Sequence, residues 1–319
     1  MKIIDMHCDT VSGALIRYGK NADLLHMPEM MLDLERMKKG DLLAQFFAIF
    51  VSPREGYADY ETYIASCRHV FDENMKLHAD LIAPARNAED IRRNQSEGKM
   101  SGILTMEDGV AVDGKLENLK RFYDMGVRAL NLTWNYANCF GAPNSMDVSV
   151  MQTGLTSFGK EAVACMQDMG MIVDVSHLSD GGFMDVADIC RKPFIASHSN
   201  CRALSPHPRN LTDEMIRILA DHGGVAGINF YPLFLNADQT DMHSRIQRMV
   251  DMAEHMKQIG GIDVIGMGSD FDGITGELEL AGCDQFGLLE TALYRAGFTP
   301  SELDKMMGGN ALRVLQDTL

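Results

Sequence analysis

Residues 1–10 read Met-Lys-Ile-Ile-Asp-Met-His-Cys-Asp-Thr, and the reading of the whole chain turns on them. Ile3 and Ile4 open an apolar, β-branched run that gives way to polar residues at His7, Cys8 and Asp9. A strand alternates its faces, so His7 and Asp9 should project to one side and Cys8 to the other. An imidazole and a carboxylate at a strand's end make a two-point clamp for a borderline-soft divalent ion such as zinc. A lone His-x-Asp is common by chance, so its weight depends on whether later strands end in matching donors.

The rest of the chain alternates regularly. Residues 42–51 (LLAQFFAIFV) are nearly all apolar, as a strand buried on both faces should be. Further strands are expected over residues 102–106, 127–133, 171–175, 193–197, 224–230 and 264–268. Helical patterns lie between them at 30–39, 57–79, 87–97, 116–125, 157–169, 182–190, 212–220 and 241–259, with closing helices at 284–296 and 301–317. Gly40, Gly126 and Gly170 stand where helices should stop, and Thr212 where one should be capped. Eight strand–helix units without a linker predict a parallel sheet under helices, closed into a (β/α)8 TIM barrel of the α/β class, one domain over residues 1–319. An open doubly wound sheet would ask for a Gly-rich turn after the first strand; His-Cys-Asp-Thr stands there instead.

Composition narrows the function. The formal net charge of -16 argues against nucleic acid as a partner, because such surfaces gather Lys and Arg against phosphates. No apolar run approaches the roughly 18 residues of a membrane span, and the first residues lack a secretory pattern. Seven scattered cysteines without a Cys-x-x-Cys pair suit a reduced, cytoplasmic protein.

In a barrel of this kind the active site lies at the C-terminal ends of the strands. Those ends carry His7 and Asp9, Glu107, His177, His198 and Asp270. That is more than one tetrahedral ion needs; it suits two metals about 3.5–4 Å apart sharing a carboxylate and a hydroxide. Glu107, from a strand between the two histidine groups, is the expected bridge, with His7 and Asp9 on one metal and His177 and His198 on the other. Asp108, Asp174 and Asp272 flank these residues as supporting or solvated groups, and Cys8 packs. His26, His69, His78, His222, His243 and His255 are expected to be structural. His207 lies near the rim without a partner at ligand spacing.

The motifs DMHCDT (5–10), MEDG (106–109), DVSHLSD (174–180), SHSNCRAL (197–204), HPRNLTDE (207–214) and GSDFDG (268–273) together resemble the membrane (renal) dipeptidases of the amidohydrolase superfamily, over nearly the whole chain. The resemblance implies a zinc-dependent dipeptidase with two Zn2+ per chain that often accepts a D-residue at the C-terminal position, and commonly a homodimer. It implies that His7, Asp9, Glu107, His177 and His198 are metal ligands and that Asp270 is the catalytic acid/base. Arg209 would hold the substrate's terminal carboxylate, a role that suits a guanidinium fork. The mammalian pattern has a histidine after Leu-Thr on the fourth strand; here Trp134-Asn135 follow Leu132-Thr133, and both are expected at the substrate. Rival readings are another binuclear hydrolase cutting a cyclic amide or lactone, and a non-catalytic metal-binding barrel.

Overall fold

The computed structural model describes residues 2–51 and 59–319. Eight parallel strands form the barrel: β1 Ile3–Cys8, β2 Leu42–Phe50, β3 Met100–Glu107, β4 Ala129–Asn131, β5 Ile172–Asp174, β6 Ile195–Ala196, β7 Val225–Ile228 and β8 Ile265–Met267. Each pairs with the next, and β8 pairs back onto β1 through Asp5 and Met267, so the ring closes. This is the expected TIM barrel.

Period-2 patterning sorts the apolar residues into two layers. Ile4, Met6, Phe46, Ile103, Ala129, Ile172, Ile195 and Val225 pack together inside the ring with Val314 and Leu315 of the C-terminal helix. Their strand neighbours Ile3, Phe47, Leu104, Leu130, Val173 and Ala226 join the larger cluster under the helices. Asn310 fastens that last helix, Asn310–Thr318, beneath β8 by donating to the Ile262 and Ile265 carbonyls, each at 2.8 Å.

β1 breaks this alternation where it matters. From Ile4 and Met6, strict period 2 would carry Cys8 inward. The β1–β2 register instead shifts between Asp5 and Cys8, an irregularity of the kind that re-aims side chains near barrel rims. Cys8 lies in the outer layer, its Sγ 3.4 Å from the Phe46 carbonyl oxygen, and His7 turns toward the centre.

Several element boundaries differ from expectation. A helix at Thr10–Tyr18 follows β1 directly, and a short strand Ile82–Pro84 pairs with the first residues of β3; neither stood out in the pattern. The helix expected from residue 30 begins at Leu34, because the Asp33 carboxylate caps it by accepting from the Arg36 N–H. The one expected from 241 begins at Ile246, after a two-residue strand at His243–Ser244. The helix expected over 57–79 is Tyr60–Leu77 among the described residues; positions 57 and 58 lie outside them. The helices at Leu116–Met125 and Ser157–Met169 fall on the expected bounds, with Gly126 and Gly170 left-handed at their ends. The strands β4 to β8 are two to four residues long, shorter than their apolar runs, so most rim residues stand on loops just past the strands.

Candidate metal centre

Every rim residue singled out in the sequence is at the same end of the barrel and either lines one cavity of about 430 Å³ or lies against a residue that does. Glu107, the last residue of β3, stands in the middle. Its Oε2 is 3.2 Å from His7 Nε2, and its Oε1 is 3.0 Å from His177 Nε2 and 3.6 Å from His198 Nε2. Asp9 Oδ2 and Asp270 Oδ1 approach His7 Nε2 from the other side, at 3.9 and 3.8 Å. His7 and His198 stack with ring centres 3.8 Å apart.

These donors fit divalent metal. Asp9 Oδ1 is buried without a hydrogen-bond partner, and His7 Nε2 faces three carboxylates without a well-aligned hydrogen bond to any of them, which is costly unless something else binds them. The donor atoms of His7, Asp9 and Asp270 lie within 4.8 Å of one another, and so do those of His7, Glu107 and His198. Ligands held at about 2.0–2.2 Å by one ion need that kind of closeness. His177 Nδ1 is 3.2 Å from Asn135 Oδ1 and His198 Nδ1 is 2.7 Å from Ser197 Oγ. An amide oxygen only accepts, so His177 carries its proton on Nδ1 and presents a free Nε2 lone pair.

Burial and charge set the electrostatics. Burial would lower the pKa of His7, but the carboxylates of Glu107, Asp9 and Asp270 outweigh it and raise it to about 10. Burial, then the positive charge of Arg209, lowers His177 to about 4; burial, then the charge of His7 and that of Arg209, holds His198 well below the usual range. Burial works to raise Glu107, yet the facing imidazoles hold it well below the usual range. Burial raises Asp270 to about 6. His177 and Asp270 both have positive φ, at 71° and 63°, a region that Asp and His enter more readily than most non-glycine residues.

The substrate-side residues are arranged less simply. Trp134 and Asn135 line the cavity, with the Trp134 ring edge-on to Phe50 at 4.9 Å. Asn135 also supports His177, a role its sequence position did not suggest. Arg209 is 4% exposed and is not among the lining residues. Its Nη1 donates to Ser199 Oγ at 2.5 Å and its Nη2 to the His198 carbonyl at 2.9 Å, while Nε is buried without a partner. Phe234, which does line the cavity, has its ring centre 5.6 Å from the guanidinium carbon.

Of the flanking acids, Asp108 and Asp174 are buried and Asp272 is half-buried at the cavity wall, and all three are hydrogen-bonded. Asp174 accepts from the backbone N–H of Ser176 and of Ser197, each at 3.0 Å, and so ties β5 to the loop carrying His198. Asp272 accepts from Thr10 Oγ1 and the Met31 N–H. Asp108 accepts from Asn138 and the Val110 N–H, and burial raises it to about 7. His207 takes the Arg209 N–H on its Nδ1. Two residues escaped notice in the sequence. Asp5 is fully buried and accepts from the Ser269 N–H and hydroxyl at 2.8 and 2.6 Å, and Asn229 donates to Asp270. A signal existed for both, since each is a polar residue inside an otherwise apolar strand pattern.

Fold and site together define a metal-dependent hydrolase barrel. The chain belongs to the membrane dipeptidase family, peptidase family M19, whose model matches residues 1–318. It is similar to dipeptidase aclJ of Aspergillus oryzae, at 32% identity over 302 residues covering 90% of this chain and 69% of that protein. It is also 36% identical over 238 residues to an uncharacterised protein of Klebsiella pneumoniae encoded in the pqqA 5' region, covering 72% of this chain and 87% of that one. Among solved structures it resembles a metallopeptidase of Rhodobacter sphaeroides liganded with a phosphinate mimic of the dipeptide L-Ala-D-Ala, with TM-score 0.88, 27% identity, and 100% and 99% of the two chains covered.

Proposed function

We propose that this metallopeptidase cleaves dipeptides with two zinc ions, one held by His7 and Asp9, the other by His177 and His198, and both by Glu107. The observation that carries this reading is the division of Glu107, whose two carboxylate oxygens face different imidazoles, Oε2 toward His7 and Oε1 toward His177. Two divalent ions bound there would lower the pKa of an attacking water and polarise the scissile carbonyl.

The chain's own groups supply the remaining functions. Asp270, with its carboxyl raised to about 6, accepts the proton of the attacking water and returns it to the leaving amine. Arg209 holds the terminal carboxylate, which limits the enzyme to short substrates and orients the amide. Its unpartnered Nε supports that role. Trp134 and Asn135 form the cavity wall beside His177, and the tryptophan offers one N–H donor and no proton acceptor. A D-residue at the second position is accepted; the support is the L-Ala-D-Ala mimic bound by the Rhodobacter protein. A cyclic amide or lactone is a poorer fit, because it would leave the guanidinium without its carboxylate.

The test is hydrolysis of a panel of L-L and L-D dipeptides, with cyclic amides and lactones alongside, by protein loaded with zinc and by the same protein after chelation. Turnover of free dipeptides that chelation abolishes and zinc restores is the expected result. Turnover confined to the cyclic substrates, or unaffected by chelation, overturns the proposal.

A further inference from the structure

We propose that Asn229 is the positioning residue that holds the Asp270 carboxylate in register for proton transfer; this rests on the dipeptidase reading above. Asn229 follows β7 directly, and Asp270 stands three residues past β8. The terminal torsion of an aspartate is broad and roughly two-fold, so nothing intrinsic to Asp270 decides which way its carboxylate plane faces. Asn229 Nδ2 donates to Asp270 Oδ2 at 2.8 Å, the one hydrogen bond this carboxylate makes with a described residue. Oδ1 is thereby left toward His7 Nε2 at 3.8 Å, on the side where the water would be activated.

The holder is itself held. Asn229 is fully buried. Its Oδ1 accepts the Tyr231 N–H at 2.6 Å, which identifies the oxygen and turns the amide nitrogen toward Asp270. Its backbone N–H donates to Asn200 Oδ1 at 3.0 Å, and its carbonyl accepts from Asn200 Nδ2 at 2.8 Å. The second amide hydrogen is directed to the His198 carbonyl at 3.3 Å, the atom that also accepts from Arg209 Nη2. One carbonyl oxygen therefore references both the proton acceptor and the carboxylate anchor. A displacement of about 1 Å at such a group can cost on the order of 100-fold in rate, so a rigid reference of this kind has a kinetic consequence.

The experiment is a double-mutant cycle. Asn229→Ala in the parent enzyme is expected to lower kcat by about 10–100-fold while zinc content stays the same and KM changes by less than about threefold, because the substrate anchor is untouched. In an Asp270→Asn background the same substitution is expected to change kcat by less than about twofold, since the group it positions is already gone. Asn229→Asp, equal in size and still able to accept from Tyr231, provides the same comparison if the alanine variant folds poorly. Its carboxylate can take a hydrogen bond from the amide that Asp270→Asn introduces, so the reciprocal pair should recover thermal stability without recovering turnover. Equal fold-losses in both backgrounds, or a loss expressed in KM, would show that Asn229 acts as general scaffolding and overturn the proposal. Near-normal kcat in Asp270→Asn itself would instead remove Asp270 from the chemistry, and so sink the reading on which this one rests.

Discussion

His7 and His177 flank one carboxylate, yet their surroundings drive them in opposite directions. On the His7 side, burial is outweighed by Glu107, Asp9 and Asp270, and the imidazole is raised to about 10. On the other, burial and Arg209 lower His177 to about 4. On the His7 side three carboxylates therefore face one imidazole. The His177 side presents neutral lone pairs beside a guanidinium and owes its negative charge to Glu107 alone. The two halves differ both in ligand type, one imidazole and one carboxylate against two imidazoles, and in neighbouring charge, so they are not expected to bind metal with matching strength.

The largest effect should follow removal of the shared charge. Glu107→Gln leaves His177 and His198 facing Arg209 without an anion. Metal analysis should find one ion per chain or fewer, and turnover should fall by about 10⁴-fold or more. Retention of both ions would show that the halves are less unequal than their charges indicate.

Asp270→Asn probes the anionic half. If Asp270 moves a proton, zinc stays near two per chain while kcat falls by about 10²–10⁴-fold. Loss of metal along with turnover would make Asp270 a ligand, as its closeness to His7 and Asp9 allows. Arg209→Lys probes the other half. The charge survives but the planar fork does not, so kcat/KM on free dipeptides should fall by about 1.5–3 kcal/mol. C-terminal amides should be affected much less. Equal losses on both substrates would detach Arg209 from the carboxylate.

The smallest effect is on the pH dependence of the metal-free protein. His7 is raised, so its ionic contribution is fully present below its unfolded value near 6.5 and is lost as pH climbs toward about 10. Asp270 at about 6 and Asp108 at about 7 are also raised and act in the same sense. His177 is lowered, so its contribution is present above about 6.5 and is lost as pH falls through about 4. Above about pH 7 the contributions of Asp270, Asp108 and His177 no longer change, so Tm of chelated protein should fall by a few degrees between about pH 7 and 9 as the His7 contribution is lost. His7→Asn should flatten the alkaline limb; an unchanged limb would mean that His7 is not the titrating group.

Much of this was legible in the residues themselves. All eight barrel strands were marked by apolar runs, and the rim donors by polar residues ending those runs. The runs overstated strand length because apolar residues continue into buried loop turns, as at Val175 and Phe230. That His7 faces the site and Cys8 packs away from it was legible from the alternation at the strand's end; the register shift between β1 and β2 that reconciles this with inward Ile4 and Met6 was not, since it belongs to the pairing of two strands. Nor was the hydrogen bond between Asn135 and His177, which spans 42 positions and is made only by the folded loops.

The closure of the ring by its first and last strands has a consequence for the order of events during synthesis. Asp5 meets Ser269 across 264 positions, and the Asp9 N–H reaches the Phe271 carbonyl. A chain emerging N-terminus first must therefore carry β1 unpaired on its β8 side, with a carboxylate at Asp5 lacking its donors, until nearly everything else has been made. His7 and Asp9 meet Asp270 only after that closure. Metal uptake at this end of the barrel would accordingly report a closed ring, and a chain not yet extended past Asp270 would lack that residue at the site.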